Sequence, residues 1–351
     1  MIIDCAHYRD GKRQNTEALD VVRAAELSAT DDGFVWLGLF EPDEAELGDV
    51  QRLFGLHELA VEDAQTPHLR PKVERYEDDG IVFAVVRTAH YLDEQEEVEF
   101  GEVSVFVSSH FVITVRQGRA SGLTGVRRRL ESHPDLLSDG PAAVLWAIVD
   151  TIVDDYVPVI EGLDRDVEEV EATVFSGATA PTERIYLLRQ EATEFYRAVH
   201  PLLAPLEDVE RGRHPEVSSE LVRFFRDVND HVKLINEEVA VIRDTLAMIL
   251  QANMAVISNQ QTVINVRQNE TMKVLTLVAT IFLPLTTITG FFGMNFLWMT
   301  DHIETLLAFL LLGPGSLIVS VAVLYWWFRR EGHIGSERRS TTEPLVIKAD
   351  T

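Results

Sequence analysis

The stretch "VLTLVATIFLPLTTITGFFGMNFLWM", Val274–Met299, decides the fold. It runs about 26 residues without a charge, and a helix needs only about 20 to cross the hydrocarbon core of a bilayer. A second uncharged run, Thr305–Phe328, follows after only "TDHIE", Thr300–Glu304. Soluble helices rarely stay uncharged for so long, because one face normally meets water. The two runs predict a membrane hairpin, with spans at about 274–299 and at 305–328 and an external loop at 300–304. Arg267 and Lys273 precede the first span, and Arg329 and Arg330 follow the second. The loop holds Asp301 and Glu304 but no Lys or Arg. Basic flanks stay inside. Both termini are therefore expected in the cytoplasm, and the chain in the cytoplasmic (inner) membrane.

The first run ends on Gly293, Met294 and Asn295. An unsatisfied buried amide costs free energy. Asn295 must then meet either water at a helix end or a ligand. Along one face of the preceding helix lie Asn269, Met272, Leu275, Ala279, Leu283 and Thr286, spaced by three or four. In a lone hairpin this stripe is ordinary helix packing. In a symmetric oligomer it lines an axial channel, and each residue becomes a ring. Rings of Met272 and Leu275 would form a hydrophobic constriction that gates by dewetting. Rings of Asn269, Thr286 and Asn295 would offer oxygens to a hydrated cation.

Charge narrows the function. Against 31 Lys+Arg stand 57 Asp+Glu, a net of −26. Such a surface repels nucleic-acid phosphates and attracts cations. One cysteine, Cys5, leaves no disulfide framework and no thiolate metal cluster. The opening "MIIDCAHYRDGKRQ" lacks the apolar core of a signal peptide. No charge lies inside either span, which argues against a proton relay or a primary pump. Walker A, zinc-protease and nucleophile-elbow motifs are absent, so no enzyme is expected. "GPGS", Gly313–Ser316, lies inside the second span and reads as a kink. The available ligands are oxygens, which suit hard cations such as Mg²⁺.

Residues 1–139 read as a cytoplasmic α/β domain. "FVWLGLF" (Phe34–Phe40), "GIVFAVVRTAHY", "VEFGEVSVFV" and "HFVITVRQ" are strand-like. "PDEAELGDVQRLFG" and "HELAVEDAQ" are helix-like, the first with an acidic start and a Gly stop. "TPHLRPKV" is a loop, and "ASGLTGVRRRLESHP" a polar helix. Residues 140–214 form an acidic helical hairpin turning at "SGATAPT". Its outer face carries Asp150, Asp154, Asp155, Glu161, Asp164, Asp166, Glu168, Glu169 and Glu171. That face is read as solvated, or as a field that gathers cations. A long helix at 215–299 continues into the first span, and a cytoplasmic tail occupies 329–351.

The Gly-Met-Asn end of the first span, the preceding "ATIFLPLT" and the second C-terminal span resemble the CorA family of magnesium transporters. "FGLHELAVEDAQTPHLRPKVERYED", "IVDDY" and "RDVNDH" extend the resemblance over nearly the whole chain except its tail. It implies a funnel-shaped homopentamer with a cytoplasmic α/β/α domain, a continuous pore helix and an outer ring of second spans. It implies passive uptake of Mg²⁺, and of Co²⁺ or Ni²⁺, driven by the membrane potential. Asn295 matches the selectivity ring, with Met272 and Leu275 at the gate. Glu62, Asp63, Asp150 and Asp227 match positions that bind regulatory Mg²⁺ between cytoplasmic domains. Mg²⁺ bridging Asp63 and Asp227 would hold the gate shut, and its loss would release it. Asp301 and Glu304 would concentrate cations outside. Where the family's outer loop commonly reads Met-Pro-Glu the chain reads Met299, Thr300, Asp301, losing the Pro and keeping one negative charge, and Leu283 stands where Met is common. A proton-coupled zinc-transporting branch shares the Gly-Met-Asn signature and is the alternative. A membrane-anchored binding protein that transports nothing is the remote one.

Overall fold

Phe34–Phe40 is a strand, β3, and almost all of it is buried. It needs apolar side chains on both faces because it lies inside a sheet covered on both sides. The computed structural model describes residues 1–30, 33–66, 70–76, 80–119, 123–177, 180–214, 217–294 and 305–330. The chain falls into two units, Met1–Ile257 and Ser258–Thr351.

In the first unit, β1 (Ile2–Arg9), β2 (Lys12–Arg13), β4 (Lys72–Tyr76), β5 (Ile81–Leu92), β6 (Glu97–Val107) and β7 (Phe111–Gln117) join β3 in one sheet. The strand order is β2-β1-β3-β7-β6-β5-β4. The β3–β7 pair is parallel, with Trp36 opposite Val112 and Gly38 opposite Thr114. The β1–β3 pair is antiparallel, with Ala6 opposite Trp36.

Alternation along the strands makes two cores. Val35, Leu37 and Leu39 pack with helices α1 (Val21–Thr30), α2 (Glu44–Phe54) and α3 (Glu58–Gln65). Phe34 and Trp36 face the opposite core, built with α4 (Thr124–Glu131), α5 (Pro134–Leu137) and α6 (Pro141–Phe175). The layers are α/β/α. Asp43 caps α2 by accepting from the Glu46 amide at 2.8 Å, while Glu46 accepts from the Asp43 amide at 3.2 Å. Gly55 stops α2 in the left-handed region at φ 66. Neither the strand Ile2–Arg9 nor the helix Val21–Thr30 is announced by the local pattern of its own residues.

Helix α6 lies on the sheet through a bare spot. A Cβ on Gly162 would stand 2.5 Å from the Tyr91 ring, so only glycine lets helix and strand approach this closely. The Tyr156 hydroxyl donates to the Arg87 carbonyl from the same helix. Three expectations change here. Asp166, read on the outer face, is buried and accepts from the Tyr91 hydroxyl at 2.8 Å. The helix after the turn breaks into α7 (Thr182–Val199), a 3₁₀ turn at His200–Leu202, and α8 (Leu203–Glu210). Pro201 lacks the amide that would continue α7. The long helix α9, Leu221–Phe292, begins at Leu221 and not near 215. Ser218 sets that start, its hydroxyl accepting from the Leu221 amide at 3.1 Å.

Within the first unit α9 buries Leu221, Phe225, Val228, Val232, Ile235, Val239, Ile242, Leu246 and Ile249, an i/i+3/i+4 stripe. Asn253 ends the stripe, donating to the Ala180 carbonyl and to Thr182 Oγ1 at 3.2 Å each.

In the second unit the rest of α9 is followed by α10 (Leu306–Leu310), a π-helical turn (Leu311–Gly315) and α11 (Ser316–Arg330). The π turn contains Pro314, where the sequence predicts a kink. Two helices, Leu221–Phe292 and Leu306–Arg330, are long and apolar enough to cross a membrane.

Candidate functional site

Asn269, Met272, Leu275, Ala279, Leu283 and Thr286 share one face of α9, spanning about 120° of arc at about 100° per residue. All six are exposed in the single chain. The half-covered residues of the same segment are Leu277, Thr280, Pro284, Leu285, Ile288 and Phe292. Their mean direction lies about 160° round the helix from that of the stripe, with Thr280 at the edge nearest Asn269. The covered stripe and the polar-ended stripe therefore point away from each other, and the latter is open to an external partner.

The threonines of this segment turn their protons inward. Thr276, Thr280, Thr286, Thr287 and Thr289 each donate to the carbonyl four residues back, Thr286 to Phe282 at 2.8 Å. This satisfies the hydroxyl hydrogens without water. It also leaves the Thr286 oxygen lone pairs facing outward as acceptors, which is what the water shell of a cation needs.

Gly293 closes the helix, its amide donating to the Thr289 carbonyl at 2.9 Å. A Cβ there would lie 3.2 Å from that same oxygen. The residue is small because the backbone folds tightly over Thr289. Met294 follows and is exposed. Asn295, Asp301 and Glu304 lie outside the described residues.

The four acids expected to bind metal have different surroundings. Glu62 and Asp227 are exposed. Asp63, on α3, is paired with Lys72 Nζ, which also lies 3.2 Å from Glu74 and over the Phe83 ring. Asp150, on α6, takes a hydrogen bond from Arg129 Nη2 at 2.8 Å. Burial nevertheless pushes the Asp150 carboxyl above the usual aspartate range, against the Arg129 charge, and the Asp154 and Asp227 carboxylates push the same way. Asp150 is thus repelled by both Asp154 and Asp227. Asp63 and Asp150 are not bare carboxylates, because each already has a cationic partner.

A further acidic group escaped the sequence reading. Ligand atoms of Glu96, Asp166 and Glu169 lie within 4.8 Å of one another. Arg184 bridges all three, at 2.5 Å from Glu96, 3.2 Å from Glu169 and 3.6 Å from Asp166. Its guanidinium takes the place a metal would fill. Nearby, burial pushes the Glu191 carboxyl up to about 7. Glu96 sits in a hairpin turn far from α6 in sequence, so no spacing could reveal this cluster.

The model of a family described as "CorA-like Mg2+ transporter protein" matches residues 31–330. The cobalt/magnesium transport protein CorA of Thermotoga maritima is 32% identical over 254 residues, covering 72% of this chain and 70% of that protein. The structure of the CorA magnesium transporter from Methanocaldococcus jannaschii superposes with a TM-score of 0.58 at 19% identity, covering 95% of this chain and 99% of that one. The full-length CmaX protein superposes with a TM-score of 0.62 at 16% identity, covering 94% and 97%. At these identities the two structures speak for the fold alone.

Proposed function

The chain belongs to the family of CorA-like Mg²⁺ transporter proteins, and from that membership we propose that it is a homopentameric channel through which hydrated Mg²⁺ enters the cytoplasm down the membrane potential. The observation that carries this reading is the open stripe on α9. Oxygen-bearing Asn269 and Thr286 lie at its two ends, with apolar Met272, Leu275, Ala279 and Leu283 between them. Around a symmetry axis the stripe becomes a channel wall, and the covered face opposite becomes the packing face.

Mg²⁺ holds its water tightly. A wall that offers only neutral oxygens asks little dehydration of it, whereas a ring of carboxylates would bind it and release it slowly. Thr286 supplies acceptor oxygens, and Asn295 is assigned the amide ring at the outer mouth. Met272 and Leu275 would close the path by excluding water when their rings narrow. Asp301 and Glu304 would raise the cation concentration outside. Co²⁺ and Ni²⁺, with similar hydrated size, would follow the same path.

Inside, we assign regulatory Mg²⁺ to the acids of α3, α6 and α9. The fit is best at Asp150 and Asp227, whose repulsion a divalent ion would relieve. Asp63 fits where Lys72 yields its place. Bound Mg²⁺ would hold neighbouring cytoplasmic domains together and keep the gate shut, giving negative feedback.

Cysteine accessibility tests the stripe. The one native cysteine, Cys5, is buried and gives no background. In Leu283→Cys, a membrane-impermeant thiol reagent should block Mg²⁺ flux. In Leu277→Cys, on the covered face, it should not. Equal block at both positions, or none at Leu283, would remove α9 from the ion path.

A further inference from the structure

A cavity of about 270 Å³ opens on the sheet face that carries Trp36. Three strands line it, and the central one, β3, opens the space by losing its side chain at Gly38. The residues read Tyr8, Ala6, Asp4 on β1, then Phe34, Trp36, Gly38 on β3, and Val112, Thr114, Arg116 on β7. Gly38 sits between Asp4 and Thr114 with no side chain at all. A Cβ there would stand 3.6 Å from Thr114 Oγ1 and 4.0 Å from Arg127 Nη2, in ordinary contact. The space lies at the carboxyl ends of the parallel pair β3–β7, where open α/β sheets receive ligands. Helix α4 adds Arg127, Arg128 and Glu131 to the lining.

Its charge is the reverse of the chain's. Arg13, Arg116, Arg127 and Arg128 line it against only Asp4 and Glu131, in a protein of net −26. Both acids are engaged. Asp4 accepts from Arg13 at 2.9 and 3.0 Å and from Arg127 Nη1 at 2.6 Å. Glu131 accepts from the Tyr8 hydroxyl at 2.7 Å. Arg128 has no carboxylate partner among the described residues. Trp36 is 1% exposed and forms the floor, with the Arg127 guanidinium over its ring at 4.2 Å. The exposed Arg128 guanidinium, at the mouth of a lining with a positive excess, is the group left to receive an anion.

We propose that this cavity binds a small phosphate monoester, its phosphate held by the guanidiniums of Arg128 and Arg116. The lining carries two more positive than negative side chains, which matches a dianion near neutral pH. Guanidinium forks suit phosphate oxygens in pairs. The volume admits a metabolite-sized group and excludes nucleic acid. The phosphate can come from a soluble ester or from a lipid headgroup.

Titration calorimetry of the full-length protein in detergent separates the cases. The probes are inorganic phosphate, glycerol 3-phosphate and dihexanoyl phosphatidic acid. Glycerol 3-phosphate should bind once per chain. Arg128→Ala should weaken it at least about tenfold, and Gly38→Val, which fills the space, should abolish it. Arg52→Ala, at an exposed arginine on α2, should leave it unchanged. Binding of the phosphatidic acid alone, lost in the same two variants, would place the phosphate on a lipid. No heat with any probe, or equal weakening by Arg128→Ala and Arg52→Ala, would overturn the proposal.

Discussion

Arg129 donates to Asp150 at 2.8 Å, yet Asp150 still holds its proton more tightly than an ordinary aspartate. Burial outweighs the guanidinium, and the Asp154 and Asp227 carboxylates add to the burial. A carboxyl with a raised folded pKa contributes most stability when protonated, below its unfolded value of about 3.9. That contribution is lost as pH rises through the folded value. At pH 7 the ionised group is a burden. Asp150→Asn should therefore raise the thermal midpoint of the Met1–Ile257 unit by about 2 °C in chelator at pH 7. Mg²⁺ should stabilise the parent protein more than the variant. Differential scanning fluorimetry reads both, and a lowered midpoint in the variant would contradict the account.

Asp63 and Asp227 are assigned to the same regulatory function from different surroundings, one paired with Lys72 and one exposed. The double substitution Asp63→Ala, Asp227→Ala should raise the internal Mg²⁺ needed to halve uptake at least about tenfold. Lys72→Met should lower it, because it removes the ammonium that competes with the metal for Asp63. Uptake by vesicles preloaded with graded Mg²⁺ measures both. Unchanged sensitivity in the double variant would end the feedback reading.

The constriction assigned to Met272 and Leu275 works by excluding water. Polar side chains there should wet it. Leu275→Ser should raise Mg²⁺ uptake at high internal Mg²⁺ about tenfold, while Val274→Ser, off the stripe, should not. Stopped-flow dye recordings in liposomes distinguish them.

Much of this architecture is legible in the sequence, and the losses have physical causes. Phe34–Phe40 is apolar on both faces because helices cover both, so its burial shows in composition alone. Asp43, Glu46 and Gly55 bound α2 by local hydrogen bonds and one left-handed residue, which are short-range signals. The two spans declare themselves by length. By contrast, Ile2–Arg9 is a strand because Phe34–Phe40 pairs with it, a contact its own residues do not announce. Asp166 reads as one more acid on a polar helix, and only Tyr91, reached across the sheet, makes it a buried acceptor. Lys72 meets Asp63 from nine residues along the chain, a pairing that no helix or strand spacing announces. The stripe on α9 is visible from spacing, but which face is covered appears only in three dimensions.

Gly162 makes a prediction about the fold. A methyl group there would overlap the Tyr91 ring at 2.5 Å. Gly162→Ala should destabilise the Met1–Ile257 unit by about 1–3 kcal/mol despite the better helix propensity of alanine. Gly48→Ala in α2, with open space at its Cβ, should be neutral or stabilising. Denaturant unfolding followed by tryptophan fluorescence measures the difference.

Gly293 and Gly290 offer a matched pair at the end of α9. A Cβ on Gly293 would sit 3.2 Å from the Thr289 carbonyl, whereas Gly290 has nothing within 4 Å in the single chain. Gly293→Ala should cut uptake at least about tenfold at equal expression, because it displaces the residues that follow, Met294 and Asn295. Gly290→Ala should retain more than half.

Ion uptake into liposomes holding the purified protein tests the central claim most directly. Mg²⁺, Co²⁺, Ni²⁺ and Zn²⁺ are offered with an inside-negative potential, with and without a pH gradient. The account predicts Mg²⁺ entry that follows the potential, ignores the pH gradient and is lost in Asn295→Ala. Uptake of Zn²⁺ alone, dependent on the gradient, would contradict it, as would flux indifferent to Asn295.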